Sequence, residues 1–182
     1  MNVQMIPNIL TSVRIILVPF FIWAFALGKV GLCAIIFTVS GASDVLDGIV
    51  ARRFGAESNL GKILDPIADK LTYATTFFCL FCVGKIPFYF VVSYVVIQLM
   101  QGFGAIVFYK KDGVVVKSNI FGKIAGFSIF SLSFINLVFY NFEGLNTLTN
   151  ILCIFVLAAI FAAGVAYFVA YSIKPEGKKK QL

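Results

Sequence analysis

The sequence predicts an all-α integral membrane protein with six transmembrane helices and both termini cytoplasmic, on three observations. Of 182 residues, 60% are hydrophobic and only 13% charged, with a mean hydropathy of +0.98. A soluble domain of this length has too little polar surface to cover so much apolar area, whereas lipid accepts it. Six apolar stretches follow one another, each close to the roughly 20 residues that a helix needs to cross the hydrocarbon. Lysine and arginine are concentrated in alternate connections between them, which is how membrane topology is signalled. No second, soluble domain fits, so residues 1–182 are expected to form one membrane domain.

The stretches run over 8–27, 30–50, 62–83, 87–108, 120–141 and 149–173. The first lacks a basic start and a small-residue cleavage site, so it reads as a retained helix rather than a signal peptide. Pro19 removes a backbone donor within it and predicts a kink. The second and third carry aspartates near their ends. Pro87 opens the fourth, where its fixed φ suits a first helical turn. Asn141-Phe142-Glu143-Gly144-Leu145-Asn146 is a turn-rich connection before the sixth. Arg14, Arg52, Arg53, Lys62, Lys70, Lys110, Lys111, Lys117, Lys123 and the tail lysines 174, 178, 179 and 180 make thirteen cations on one side, against Lys29 and Lys85 on the other. Six spans with both ends inside satisfy the positive-inside rule, and an odd number does not.

The net charge of +7 is thus a topology signal rather than a nucleic-acid footprint. The lysine-rich tail is expected to touch anionic lipid head groups. Cys79 and Cys82 form a C-x2-C inside an apolar run with no second pair and no histidine. They read, with Cys33 and Cys153, as small apolar fillers of helix surfaces rather than metal or redox ligands.

The chemistry lies between positions 44 and 69. Asp44, Asp47, Asp65 and Asp69 are half of the eight acidic residues in the chain. Carboxylates at the ends of membrane-length segments are costly to desolvate, so they should face an interior, a cavity or a metal. On a helix, positions three apart lie about 60° apart and positions four apart about 40°. Asp44 and Asp47 therefore share one face of the second span, and Asp65 and Asp69 one face of the third. A hairpin of those spans brings four carboxylates together. Uncompensated, they repel one another, and a divalent cation resolves the conflict. All-oxygen ligation without histidine favours Mg2+, Mn2+ or Ca2+ over zinc. Magnesium commonly shares its coordination sphere with substrate phosphates, which points to phosphoryl chemistry. Gly48, Ala51 and Gly61 are small residues at fixed offsets from the aspartates, where a ligand can approach the backbone; tight helix packing is the alternative for each taken alone. A small cation carrier is the non-enzymatic alternative, since intramembrane aspartates also mark ion pathways, but it favours midplane carboxylates and repeat symmetry.

Together these residues read D-x2-D-G-x2-A-R-x8-G-x3-D-x3-D, with Asp44, Asp47, Gly48, Ala51, Arg52, Gly61, Asp65 and Asp69 filling every fixed position. The pattern resembles the signature of the CDP-alcohol phosphotransferases, and the resemblance extends to six spans over essentially the whole chain. It implies transfer from a CDP-linked lipid, CDP-diacylglycerol, to a polar alcohol, with release of CMP. It further implies that Asp44, Asp47 and Asp65 hold Mg2+ or Mn2+, with Asp69 a further ligand or the general base. Asp44, Gly48, Ala51, Arg52 and Gly61 would then contact the cytidine nucleotide. A homodimer is expected from the resemblance alone. The chemistry agrees: with no histidine present, a carboxylate in a like-charged cluster can take the acceptor's proton.

The opening Ile6-Pro7-Asn8-Ile9-Leu10-Thr11-Ser12-Val13-Arg14 is similar to that of bacterial phosphatidylglycerophosphate synthases, which use glycerol 3-phosphate. This places Asn8, Thr11 and Arg14 near the acceptor; the bland alternatives are helix capping by Asn8 or Thr11 and a snorkelling Arg14. Gly122-Lys123 matches a glycine-lysine entrance to the fifth span, making Lys123 a candidate ligand of the acceptor phosphate. Two departures stand out. Gly126 and aliphatic residues follow Lys123 where threonine and glutamine are expected, and neutral Gln98 and Gln101 stand where the fourth span should carry an arginine–glutamate pair. Other acceptors are therefore weighed as well: phosphatidylglycerol (giving cardiolipin), an inositol phosphate and serine.

Overall fold

The computed structural model describes residues 5–54, 61–112, 120–142 and 144–172. Among these residues there are six helices and no strand: α1 (Met5–Ala26), α2 (Val30–Phe54), α3 (Gly61–Cys82), α4 (Phe88–Asp112), α5 (Ile120–Val138) and α6 (Leu145–Ser172). Each expected apolar stretch is one helix. α2 and α4 run past the apolar stretches that nucleate them, because Arg52, Arg53, Lys110 and Lys111 are good helix formers. α6 begins earlier than expected. Leu145 is buried and its N–H donates to the Phe142 carbonyl, so it anchors the first turn instead of lying in the loop. α1 continues through Pro19. Glu143 and the lysines of the tail lie outside the described residues.

The two connections that carry Lys29 and Lys85 share one construction. After α1, Gly28 adopts φ 70 and donates to the Phe25 carbonyl, while Lys29 N–H reaches back to Ala24. After α3, Gly84 adopts φ 73 and donates to Phe81, and Lys85 N–H reaches Leu80. Both are Schellman closures, in which a glycine in the left-handed region satisfies carbonyls that the helix end leaves open. The next helices start at once: the Lys29 carbonyl accepts from Leu32 and Cys33, and that of Pro87 from Phe90 and Val91. Pro87 is thus the entry residue of α4, as its position in the sequence implies.

The helices fall into two compact units. The first holds α1, α2, α3 and the end of α5 from Ser133 to the turn before α6. Its core is Val18, Phe21 and Ala24 of α1, Cys33 and Phe37 of α2, and Ala68, Phe77 and Leu80 of α3, all buried. Phe37 meets Tyr73 edge-on at 5.9 Å between ring centroids, and the Cys33 thiol donates to the Phe21 carbonyl at 3.7 Å. At the end carrying Lys85, that ammonium lies 5.2 Å from the centre of the Tyr140 ring, which also packs edge-on against Phe25. Cys33 and Cys79 fill helix contacts as expected, and Cys82 is exposed.

The second unit holds α4, α5 as far as Leu132, and α6. Phe90 and Tyr94 stack at 6.2 Å, and Ile129, Cys153, Val156 and Ile160 are buried. Here Gln101 joins α4 to α6. Its side-chain amide donates to the Ile160 carbonyl at 2.9 Å and lies against Gly164, where a side chain would collide with it. Much of the remaining apolar surface is exposed, including Phe103 at 70% and Phe127 at 74%. Ile120–Val138 and Leu145–Val169 are long and apolar enough to cross a membrane; Thr11–Ala26, Val30–Asp44 and Phe88–Gly104 are shorter apolar stretches.

Nothing stands within 4 Å of a side chain added at Gly84, so substitution there tests the backbone alone. Gly84→Ala should destabilise the protein by about 1–2 kcal/mol through its left-handed φ, read as a lowered thermal midpoint in detergent. An unchanged midpoint would show that the closure does not depend on glycine.

Candidate active site

Arg14 lies nine residues into α1, Asp44 in the second half of α2, and Asp69 eight residues after Gly61 at the start of α3. Packing of α1 against both α2 and α3 brings the three side chains together. One terminal nitrogen of the Arg14 guanidinium, Nη1, donates to Asp69 Oδ1 at 2.6 Å and lies 3.0 Å from Asp44 Oδ1. Those two carboxylate oxygens are therefore separated by no more than the sum of the two contacts. Their exposures differ from that of the arginine: Arg14 is 2% exposed, Asp44 43% and Asp69 38%. The cation is buried, while both carboxylates are partly exposed.

Each element contributes for a local reason. α2 is unbroken from Val30 to Phe54, so Asp44, Asp47, Gly48, Ala51 and Arg52 belong to one helix, and positions 44, 47, 48 and 51 recur on one face. α3 likewise carries Gly61, Asp65 and Asp69 at intervals of four, hence along one face. The side chains of Asp47, Arg52 and Asp65 lie outside the described residues, as does that of Asn8 on α1. Thr11 is fully buried one turn before Arg14. Lys123 is exposed in the first turn of α5. Gly126, three residues on, has open space beside it.

The structure thus joins Asp44 and Asp69, the first and last carboxylates of the signature, through a residue that no spacing in the sequence assigns to the cluster. Arg14 does not snorkel. It is buried and ion-paired, and supplies part of the compensation that the carboxylate pattern alone would leave wholly to metal. The available signal was a lone arginine inside an apolar helix, since such a charge needs an anionic partner.

The donor set is hard and anionic, which suits Mg2+ or Mn2+ and not a thiolate-preferring metal. Among the described residues no group of three potential ligands is complete; Asp47 and Asp65 are the members that fall outside.

The sequence profile of the CDP-alcohol phosphatidyltransferases matches residues 4–169. The chain belongs to that family. Its members are membrane-embedded, consistent with the apolar, exposed faces of α5 and α6. Among curated relatives, the chain is 46% identical over 72 residues to a CDP-diacylglycerol–glycerol-3-phosphate 3-phosphatidyltransferase of Yersinia enterocolitica, covering 38% of this chain and 40% of that protein. A protein of the same description from Pectobacterium atrosepticum is 44% identical over the same shares. A cardiolipin synthase (CMP-forming) of Streptomyces coelicolor is 40% identical over 81 residues, 41% of this chain and 38% of that one. The matched stretch thus spans about two fifths of each curated relative.

Arg14→Met should lower stability by about 2 kcal/mol, between the worth of an exposed and a buried ion pair, because only the cation is fully buried. Thermal unfolding in detergent measures it. Arg14→Lys should recover part of the loss, since one ammonium can still face both carboxylates. Equal midpoints for Arg14→Met and the parent would mean the clasp contributes nothing to the fold.

Proposed function

We propose that the protein transfers a phosphatidyl group from CDP-diacylglycerol to glycerol 3-phosphate, giving phosphatidylglycerophosphate and CMP. The observation that carries this reading is the Arg14 clasp, which places Asp44 and Asp69 of the family signature side by side on neighbouring helices. Asp44, Asp47, Asp65 and Asp69 would hold one or two Mg2+ or Mn2+ ions, which when bound neutralise the diphosphate and stabilise CMP as leaving group. Arg14 supplies one positive charge against four aspartates, and divalent cations offset the surplus of negative charge.

Asp69 takes the proton from the acceptor hydroxyl as its oxygen attacks the lipid-side phosphorus, and the bond from that phosphorus to the CMP oxygen breaks. Its hydrogen bond from Arg14 holds the orientation of the carboxylate. Asp44, Gly48, Ala51, Arg52 and Gly61 bind the cytidine nucleotide, Arg52 offering a planar fork suited to phosphate. From the family resemblance, Asn8 and Lys123 would bind the acceptor, with Lys123 as the cationic partner of its phosphate, while Thr11 and Arg14, both buried, would support the site.

Residues 1–182 act as a single six-span domain of the cell membrane, with the site facing the cytoplasm, where thirteen of the fifteen cations cluster. The working unit is a homodimer. A second acceptor, phosphatidylglycerol, is favoured by the similarity to the Streptomyces cardiolipin synthase and by the absence of the expected polar residues after Lys123.

Purified protein incubated with CDP-diacylglycerol, Mg2+ or Mn2+ and each labelled alcohol in turn should yield labelled phosphatidylglycerophosphate and CMP. Cardiolipin as the only product would replace the acceptor assignment, and ion flux without CMP release would remove the enzymatic reading. Asp69→Asn should slow turnover by at least about 100-fold, the usual contribution of a general base, while CDP-diacylglycerol binding survives; parental turnover would remove the base role. Asp44→Asn should instead raise the Mg2+ concentration needed for half-maximal rate and weaken nucleotide binding together, and an unaltered metal titration would exclude Asp44 from the ligand set.

A further inference from the structure

Beside the clasp, toward the start of α2, side chains of α1, α2 and α3 line a small, partly open cavity of about 10 Å³. Arg14, Phe37, Ser40, Thr72 and Thr75 are among its lining residues. That is the room taken by one water molecule. Ser40 is 3% exposed, and its hydroxyl makes no hydrogen bond among the described residues. Its neighbours on α2 behave differently: Thr38 donates to the Ala34 carbonyl at 2.7 Å and Ser43 to that of Val39 at 2.8 Å. Ser40 forgoes this ordinary bond to the preceding turn, and a buried hydroxyl without any partner is costly. Thr72 donates its proton to the Ala68 carbonyl at 2.9 Å, which leaves its oxygen able to accept. The placement is regular. Ser40 stands one turn before Asp44 on α2, and Thr72 one turn after Asp69 on α3, so the two hydroxyls form a layer beside the ion-paired one, with Arg14 common to both.

We propose that this cavity binds a single water molecule, which donates to Ser40 Oγ and Thr72 Oγ1 and accepts from the Arg14 guanidinium, and that Ser40 positions Arg14 through it. A water needs two to four polar partners in such a site, and these groups supply three. Ser40 is a positioning residue. It touches neither substrate nor metal ligand, and acts by fixing the plane of the guanidinium whose outer nitrogen holds Asp44 and Asp69 in register. The proposal takes its geometry from the clasp, and only its rate measurement rests on the transferase reading.

The test is a double-mutant cycle on the purified full-length protein, with Ser40→Ala and Arg14→Lys made singly and together. Expected is a roughly fivefold fall in kcat for Ser40→Ala with the KM for CDP-diacylglycerol unchanged, the size of one neutral hydrogen bond. In the Arg14→Lys background the same change should have little further effect, in kcat or in thermal midpoint, because coupled residues are not additive. Ser40→Val, which fills the cavity, should fall at least as far as Ser40→Ala. An effect of Ser40→Ala that is equal in both backgrounds, or a Ser40→Val protein equal to the parent, overturns the proposal. If Arg14→Lys does not fold, an experimental map of the parent decides: density for one water between Ser40, Thr72 and Arg14 supports the site, and an empty cavity overturns it. Should no alcohol be phosphatidylated, the midpoint cycle still reads the coupling, so failure of the transferase reading and failure of the water site stay distinct.

Discussion

A positive charge buried in an apolar helix is the constraint around which the first unit is arranged. Arg14 is shut away from solvent and needs anionic partners inside the fold; it finds them on two other helices, at 2.6 and 3.0 Å. The contact does two things at once. It ties α1 to α2 and α3, adding direction to packing between apolar side chains that is otherwise non-specific. It also brings together two carboxylates that would otherwise repel one another. The same interaction thus belongs to the fold and to the chemistry.

The architecture around it explains why those helices hold their register. The closures at Gly28 and Gly84 end α1 and α3 on the side of Lys29 and Lys85, while Asp44 and Asp69 lie toward the other ends of α2 and α3. In the second unit, Gln101 replaces an expected charged pair with an amide that binds a main-chain carbonyl of α6. A position that departs from the family pattern is therefore occupied by a residue that joins two helices, in surroundings where each such bond contributes roughly 0.6 kcal/mol.

Much of this was legible in the chain. Helix positions follow from apolar runs punctuated by Gly-Lys and Pro, and the structure moved their ends by a few residues, chiefly where Arg52, Arg53, Lys110, Lys111 and Leu145 extend a helix beyond its apolar part. The convergence of Asp44 and Asp69 was legible too, because helical periodicity fixes which face each residue occupies. The resemblance placed Arg14 near the acceptor, but its ion pairs with Asp44 and Asp69 were not legible. Its partners lie 30 and 55 residues away in sequence, and pairing over that distance depends on which helices pack, something no local pattern encodes. Ser40 was equally silent: a serine in an apolar helix usually bonds its own backbone, and only the packed structure reveals that this one does not.

The burial of Arg14 also bears on how the chain is assembled. While the ribosome has delivered only the first hairpin, that guanidinium has at most one of its two anions, and Asp69 is still to come. An arginine in an apolar helix is costly to leave unpaired, so the packing of α1 is completed only once α3 supplies Asp69. Folding of the amino-terminal half therefore takes three helices, in which the last arrival fixes the first.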